Sequence, residues 1–269
     1  MIVVLGAGES GVGAAILAKK KGLEVFVSDF GVVKDKYKAE LNENNIDWEE
    51  GQHSEQQILS ADLLIKSPGI PETKLLEKAR NIGIDVLSEI EFASRFCKGK
   101  IIAVTGSNGK TTTATLLNHL LKGADFDVAL AGNIGASFGR SLAKSDHDYW
   151  VLELSSFQLD DIHLFKPFIA ILLNLSPDHL DRYQGKMENY VASKMRITEN
   201  QSEEDYFIYW SDDPWIKKYI HKVNAQTLPF GEQIIAKGAS LIGEEITINS
   251  TLEQLTMNIH ELALQGKHN

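Results

Sequence analysis

Thr105-Gly106-Ser107-Asn108-Gly109-Lys110-Thr111-Thr112-Thr113 joins an apolar run, Ile101 to Val104, to a helical pattern from Ala114 to Leu121. A glycine-rich turn between a buried strand and a helix aims backbone N–H groups and the positive end of the helix dipole at one point, a ready site for phosphate. The dipole contributes only about 0.3 to 1 kcal/mol at an exposed site, so a triphosphate needs further charge. Lys110 supplies a fixed cation, and Thr111 or Thr112 a hydroxyl for Mg2+. Residue 104 is Val, so the stretch departs from the G-x-x-x-x-G-K-[ST] spacing. Gly106, Ser107, Asn108 and Gly109 still offer the loop amides that a P-loop presents to ATP or GTP.

A second turn of the same kind opens the chain. Gly6, Gly8 and Gly11 fit G-x-G-x-x-G directly after Ile2 to Leu5, and Asp29 ends the next strand where a ribose-binding acid would sit. Read alone, this motif admits a dinucleotide, another diphosphate ligand or a plain structural turn.

Around these turns, short β-branched runs alternate with helical patterns, which predicts α/β architecture with mainly parallel sheets. Strands are expected at Ile2–Leu5, Glu24–Ser28, Asp62–Lys66 and Asp85–Leu87, with helices near 11–21, 34–45 and 72–82. The alternation pauses at Cys97-Lys98-Gly99-Lys100, so a boundary is expected between a Rossmann-like domain, 1–96, and a P-loop domain, 97–269. The second series continues at 126–130, 149–154, 168–173, 206–209 and 227–230, and turns short and β-rich after Gly231.

The bulk properties narrow the function. The 269 residues carry a net charge of −10 with no basic cluster, which disfavours nucleic acid as a partner. The single cysteine, Cys97, allows no internal disulfide and suits a reducing cytoplasm. The first strand is expected to begin at residue 2, so no signal peptide is expected, and the apolar run 168–173 is too short to span a bilayer. The eight histidines show no zinc-ligand spacing.

Three later segments add chemistry. In Trp150 to Gln158 a buried strand carries Glu153 near its end, the crevice side of a doubly wound sheet, where a carboxylate can hold Mg2+ or simply form an ion pair. In Asn174-Leu175-Ser176-Pro177-Asp178-His179-Leu180-Asp181-Arg182, His179 lies between two aspartates and can position a substrate, complete a metal shell or serve as a polar loop. Lys194, in Tyr190-Val191-Ala192-Ser193-Lys194-Met195-Arg196-Ile197, reads by itself as a solvated lysine.

Taken together, TGSNGKTTT, GNIG at 132–135, LELSSFQL at 152–159, NLSPDHLDRY at 174–183 and YVASKMRI at 190–197 resemble the Mur ligases of bacterial cell-wall synthesis. GAGESG at the start, SPGI at 67–70 and SNGKT in the P-loop are most similar to the branch that adds D-glutamate to UDP-N-acetylmuramoyl-L-alanine. The resemblance implies that ATP phosphorylates the substrate carboxylate and that the amine of D-glutamate attacks the acyl phosphate. It implies phosphate binding by Lys110 and Thr111, and a second Mg2+ site with Glu153, His179 and a carbamylated Lys194. It also implies substrate contacts at Asn133, Ser155, Gln158 and His179, an adenine contact at Asn269, and a uridine-diphosphate cradle of Glu9, Ser10, Asp29, Ser67, Pro68 and Gly69. Phe30 and Gly31 depart from the family, where Thr and Arg often hold the uracil, so stacking on Phe30 is the expected substitute. The family continues past Gly266-Lys267-His268-Asn269 into a third domain that binds the amino acid, so a truncated, monomeric and inactive fragment is expected.

Three rival readings remain open. An L-alanine-adding relative would usually carry His where Asn108 stands. An NAD-dependent oxidoreductase would use Gly6 to Gly11 and Asp29 but leave the P-loop, Glu153 and the DHLD loop unexplained. A non-catalytic nucleotide-binding module would have no use for a modified Lys194.

Overall fold

A computed structural model describes residues 1–250 and 253–261. In chain order the first elements are β1 (Ile2–Leu5), α1 (Glu9–Lys20), β2 (Val25–Asp29), α2 (Asp35–Glu43), β3 (Asp47–Glu50), α3 (Glu55–Ile58), β4 (Leu63–Lys66), α4 (Lys74–Asn81), β5 (Asp85–Ser88) and α5 (Glu89–Ser94). There follow β6 (Lys100–Thr105), α6 (Lys110–Gly123), β7 (Val128–Gly132), α7 (Phe138–Lys144), β8 (Tyr149–Glu153), α8 (Ser156–Leu159), β9 (Ile169–Leu172) and α9 (Met187–Met195). The described chain closes with β10 (Tyr206–Trp210), α10 (Pro214–Tyr219), β11 (Gln226–Gly231), β12 (Gly238–Ile242), β13 (Glu245–Asn249) and β14 (Gln254–Asn258).

These elements form two compact units, and the units are not continuous in sequence. The first comprises Met1–Gly99, Ala129–Asp148 and Ser155–Phe165; the second comprises Lys100–Val128, Tyr149–Leu154 and Lys166–Asn269. A boundary drawn near residue 97 treats each domain as one stretch, whereas α7 and α8, from the later part of the chain, count with the first unit.

The first unit carries an all-parallel sheet in the order β3-β2-β1-β4-β5. Its strands are apolar where they face two layers of helix: Val3, Val4, Val27, Leu64 and Ile65 are fully or almost fully buried. The order reverses between β1 and β4, so the crevice at their C-terminal ends is where this topology takes a ligand. Helix α7 packs closely on α1: a Cβ on Gly13 would lie 2.1 Å from the Ser137 hydroxyl, so only glycine permits the approach. Arg140 of α7 donates from Nε to Glu9 at 2.6 Å and from Nη1 to Glu40, tying α7 to α1 and α2. The 155–165 segment is held by the buried pair Lys66–Asp161 at 2.9 Å and by Glu91, which accepts the backbone N–H groups of His163, Leu164 and Phe165 at 2.8 to 2.9 Å.

In the second unit the sheet runs β14-β13-β12-β11-β10-β9-β6-β8. It is parallel from β8 to β12 and antiparallel across β12, β13 and β14. Strand β6 is central, with β8 and β9 as its neighbours, so the turn after β6 is flanked by the turns after both. Among the described residues no helix is long and apolar enough to cross a membrane.

Candidate functional site

The turn that follows β6 is built as the sequence implies. Gly109 caps the N-terminus of α6 at φ +81°, a left-handed conformation that side chains with a Cβ rarely adopt. Two loops brace it. Asn108 N–H donates to Asn174 Oδ1 at 2.9 Å and Asn174 Nδ2 returns a bond to Asn108 O at 3.1 Å. Ser107 Oγ donates to Ser176 O and accepts from Ser176 N–H, both at 2.9 Å. The Ser107 proton is therefore committed, and the Tyr190 hydroxyl, 3.0 Å away, is the donor to Ser107 Oγ.

At the start of α6 the Thr111 hydroxyl donates to Glu153 Oε2 at 2.7 Å, and Glu153 is only 2% exposed. Lys110 Nζ bonds the carbonyls of Gly106 and Ser107 at 3.0 and 2.9 Å, curled over its own loop. Lys194, 2% exposed on α9, sets Nζ 3.4 Å from Thr105 Oγ1 and 4.9 Å above the Tyr190 ring. Thr105 in turn donates to Leu154 O at 2.8 Å, which joins the ends of β6 and β8. Lys194 is thus a buried lysine beside the glycine-rich turn after β6, not the solvated one that its local sequence suggests. His179 adopts φ 48°, ψ 32°, with Nε2 3.6 Å from Asp178 Oδ1.

The structure therefore brings Thr111 and Glu153 into direct contact and sets Lys194 beside Thr105. Among the described residues no three His, Cys, Asp or Glu side chains cluster as a ready metal shell. The donor set that is present, a hydroxyl and a buried carboxylate at a helix N-terminus, consists of hard oxygens that suit Mg2+ carried in by a nucleotide. Sequence reasoning passed over Tyr190, Asn174 and Ser176. Tyr190 was discoverable, because it precedes Lys194 by four residues and a helix puts both on one face.

The first unit holds the other candidates. After β1, a Cβ on Gly11 would fall 1.8 Å from Gly6 O, so this close crossing admits only glycine. Gly8 is different: its φ of −86° and ψ of −166° suit any residue, and a Cβ there would meet nothing within 4 Å. Ser67, after β4, donates to Gly6 O at 3.3 Å and fixes the two turns together. Pro68 and Gly69 follow in the same turn, and Ser10 sits in the first turn of α1. Asp29 accepts Ala7 N–H at 2.6 Å and Gly31 N–H at 2.7 Å, so its carboxylate clips the turns after β1 and β2. Glu9 accepts Ser137 N–H at 3.2 Å as well as the Arg140 bond. Ser155 and Gln158 bond each other in a capping box at the start of α8, and Asn133 is exposed. Asn269 lies outside the described residues.

Residues 104–269 match the family model of the Mur ligase middle domain. The chain belongs to the Mur ligase family. In this Mur ligase chain, residues 1–75 also match the MurD N-terminal domain. It is 54% identical over 272 residues to the UDP-N-acetylmuramoylalanine--D-glutamate ligase of Christiangramia forsetii and 51% identical over 273 residues to the protein of that name from Bacteroides fragilis strain YCH46. Each alignment covers 100% of this chain and 61% of the relative. Among solved structures, the fold is similar to the UDP-N-acetylmuramate:L-alanyl-gamma-D-glutamyl-meso-diaminopimelate ligase of Neisseria meningitides, with a TM-score of 0.66 at 19% identity, covering 99% of this chain and 88% of that one. It is also similar to the UDP-N-acetylmuramate-alanine ligase of Thermotoga maritima, with a TM-score of 0.54 at 20% identity, covering 95% and 60%.

Proposed function

We propose that the chain supplies two nucleotide-binding units of an ATP-dependent ligase that adds D-glutamate to UDP-N-acetylmuramoyl-L-alanine. The observation that carries this reading is the Thr111–Glu153 contact at the head of α6, a hard-oxygen pair beside backbone amides that serves a metal-bound phosphate and has no use in a dehydrogenase.

Bound Mg-ATP would supply the phosphoryl group that turns the substrate carboxylate, a poor electrophile, into an acyl phosphate open to the amine. The chain's own part is positioning and charge. The amides of Gly109 to Thr112 receive the phosphates, the Ser107 and Asn108 N–H groups being bonded to Asn174 instead, and Lys110, released from its loop carbonyls, neutralises their charge. Thr111 and Glu153 present oxygens to one metal. Glu153, His179 and Lys194 would hold a second, Lys194 after its neutral amine adds CO2 and loses a proton, which replaces a repelling ammonium with a carbamate of charge −1. In the first unit, Glu9, Ser10, Asp29, Ser67, Pro68 and Gly69 line the turns for the UDP handle. Support comes from Gly8, where nothing in the protein demands glycine and a closely approaching diphosphate would. Asn133, Ser155 and Gln158 are assigned to the sugar side of the same ligand.

Calorimetric titration tests the reading. UDP-N-acetylmuramoyl-L-alanine binds and NADH does not; tight NADH binding with no response to the UDP-sugar would reverse it. Intact-mass measurement in bicarbonate checks Lys194, with a mass gain of one CO2 in the chain and none in Lys194→Ala.

A further inference from the structure

The first turn of α1 carries a carboxylate where the UDP handle is assigned: Glu9 directly follows Gly8, and its side chain is partly exposed. A negative charge there takes up the positive end of the helix dipole, the same feature that would draw in a diphosphate. The protein answers this charge with Arg140. Its Nε donates to Glu9 Oε1 at 2.6 Å and its Nη1 to Glu40. The Ser137 N–H also reaches Oε1, at 3.2 Å, and the Tyr37 hydroxyl donates to Oε2 at 3.3 Å. Gly13, one turn after Glu9, permits the approach, because a Cβ there would lie 3.1 Å from Arg140 Cβ. The arginine side chain is largely buried, and its Nη2 has no hydrogen-bond partner among the described residues. An unpaired buried donor is costly, and a partly buried cluster of two carboxylates and one arginine adds little stability of its own. Its charge is another matter: with Arg140 the three side chains sum to −1, and without it to −2.

We propose that Arg140 is a positioning residue for the UDP-sugar: by holding and neutralising Glu9, it keeps the head of α1 receptive to an anion. Arg140 acts through Glu9 and is assigned no contact with the ligand. Without it, the Glu9 charge repels the incoming diphosphate and competes with it for the same dipole. This inference rests on the UDP-sugar reading above and adds the group that sets the charge of that site.

The test is titration of the whole chain with UDP-N-acetylmuramoyl-L-alanine at low and high salt. One unmasked charge beside a diphosphate near the surface changes affinity on the order of tenfold, so Arg140→Met weakens binding by about that factor at low salt. The loss relative to wild type shrinks at high salt, where the repulsion is screened. Glu9→Gln/Arg140→Met returns the cluster to −1 and restores affinity, and Arg140→Lys retains most of it. Mg-ATP binding is unchanged throughout. Thermal unfolding checks that each variant is folded; if Arg140→Met is not, Arg140→Gln, which keeps a donor without the charge, takes its place. If the folded variant binds as wild type does, or if its loss persists at high salt or in the double variant, Arg140 is only a strut between helices. The inference is then overturned while the ligase reading stands. If wild type does not bind the UDP-sugar, both fall.

Discussion

Glu89 is a fully buried carboxyl in the first turn of α5, and it ties the stability of the first unit to pH. Its Oε1 accepts the Gly139 N–H of α7, while Oε2 is buried with no hydrogen-bond partner. Burial pushes its pKa from 4.5 up to about 7; the Gly139 bond opposes this and the nearby Glu9 charge adds to it. Below pH 4.5 the carboxyl is protonated both folded and unfolded, and it carries no ionic penalty. Between 4.5 and about 7 the unfolded chain ionises while the folded one does not, so stability falls as pH rises, and it levels off once the folded group has ionised. At about 1.4 kcal/mol per pH unit, the interval is worth on the order of 3 kcal/mol. Glu89→Gln keeps an oxygen for Gly139 and removes the titration. The assay is urea unfolding across this pH range, read from amide exchange in α1 and α7. The variant should gain on wild type by about 3 kcal/mol between about pH 4.5 and pH 8. Parallel stability curves for the two proteins would refute the argument.

Glu91, two residues on, should behave in the opposite sense. Burial disfavours its charge, but three backbone N–H groups and Arg95 more than compensate and lower its pKa, so its stabilisation is present above 4.5 and is lost as pH falls through the folded value. Glu91→Gln should cost about 3 kcal/mol in urea unfolding at neutral pH, with the difference shrinking in acid. Tyr190→Phe removes the bond to Ser107; it should cost about 1 kcal/mol and weaken Mg-nucleotide binding several-fold in calorimetry, with UDP-sugar affinity unchanged.

The parallel sheets and both glycine-rich turns were legible in the sequence, because β-branched runs such as Ile2–Leu5 and Ile101–Thr105 end at glycines. Strand β3 was not. Asp47-Trp48-Glu49-Glu50 lies at a sheet edge, half solvated, and its charges hide the strand pattern. The helix α5 was missed for a related reason: its six residues show too little periodicity to read, and two of them are buried glutamates whose partners lie about fifty and seventy residues away. Lys194 reads as solvent-facing from its neighbours, since only tertiary packing brings Thr105 and Tyr190 to it. The discontinuous makeup of the first unit was equally hidden, because Glu9, Arg140 and Glu40 meet only in the fold.

The central claim is that the two glycine turns serve two different ligands, and a double titration tests it most directly. Gly8→Val fills open space at backbone angles that valine accepts, so the variant should unfold like wild type, lose UDP-N-acetylmuramoyl-L-alanine binding and keep Mg-ATP binding. Thr111→Val should do the reverse. If Gly8→Val binds the UDP-sugar as wild type does, or if either variant abolishes both ligands while remaining folded, the assignment of one turn to each ligand is contradicted.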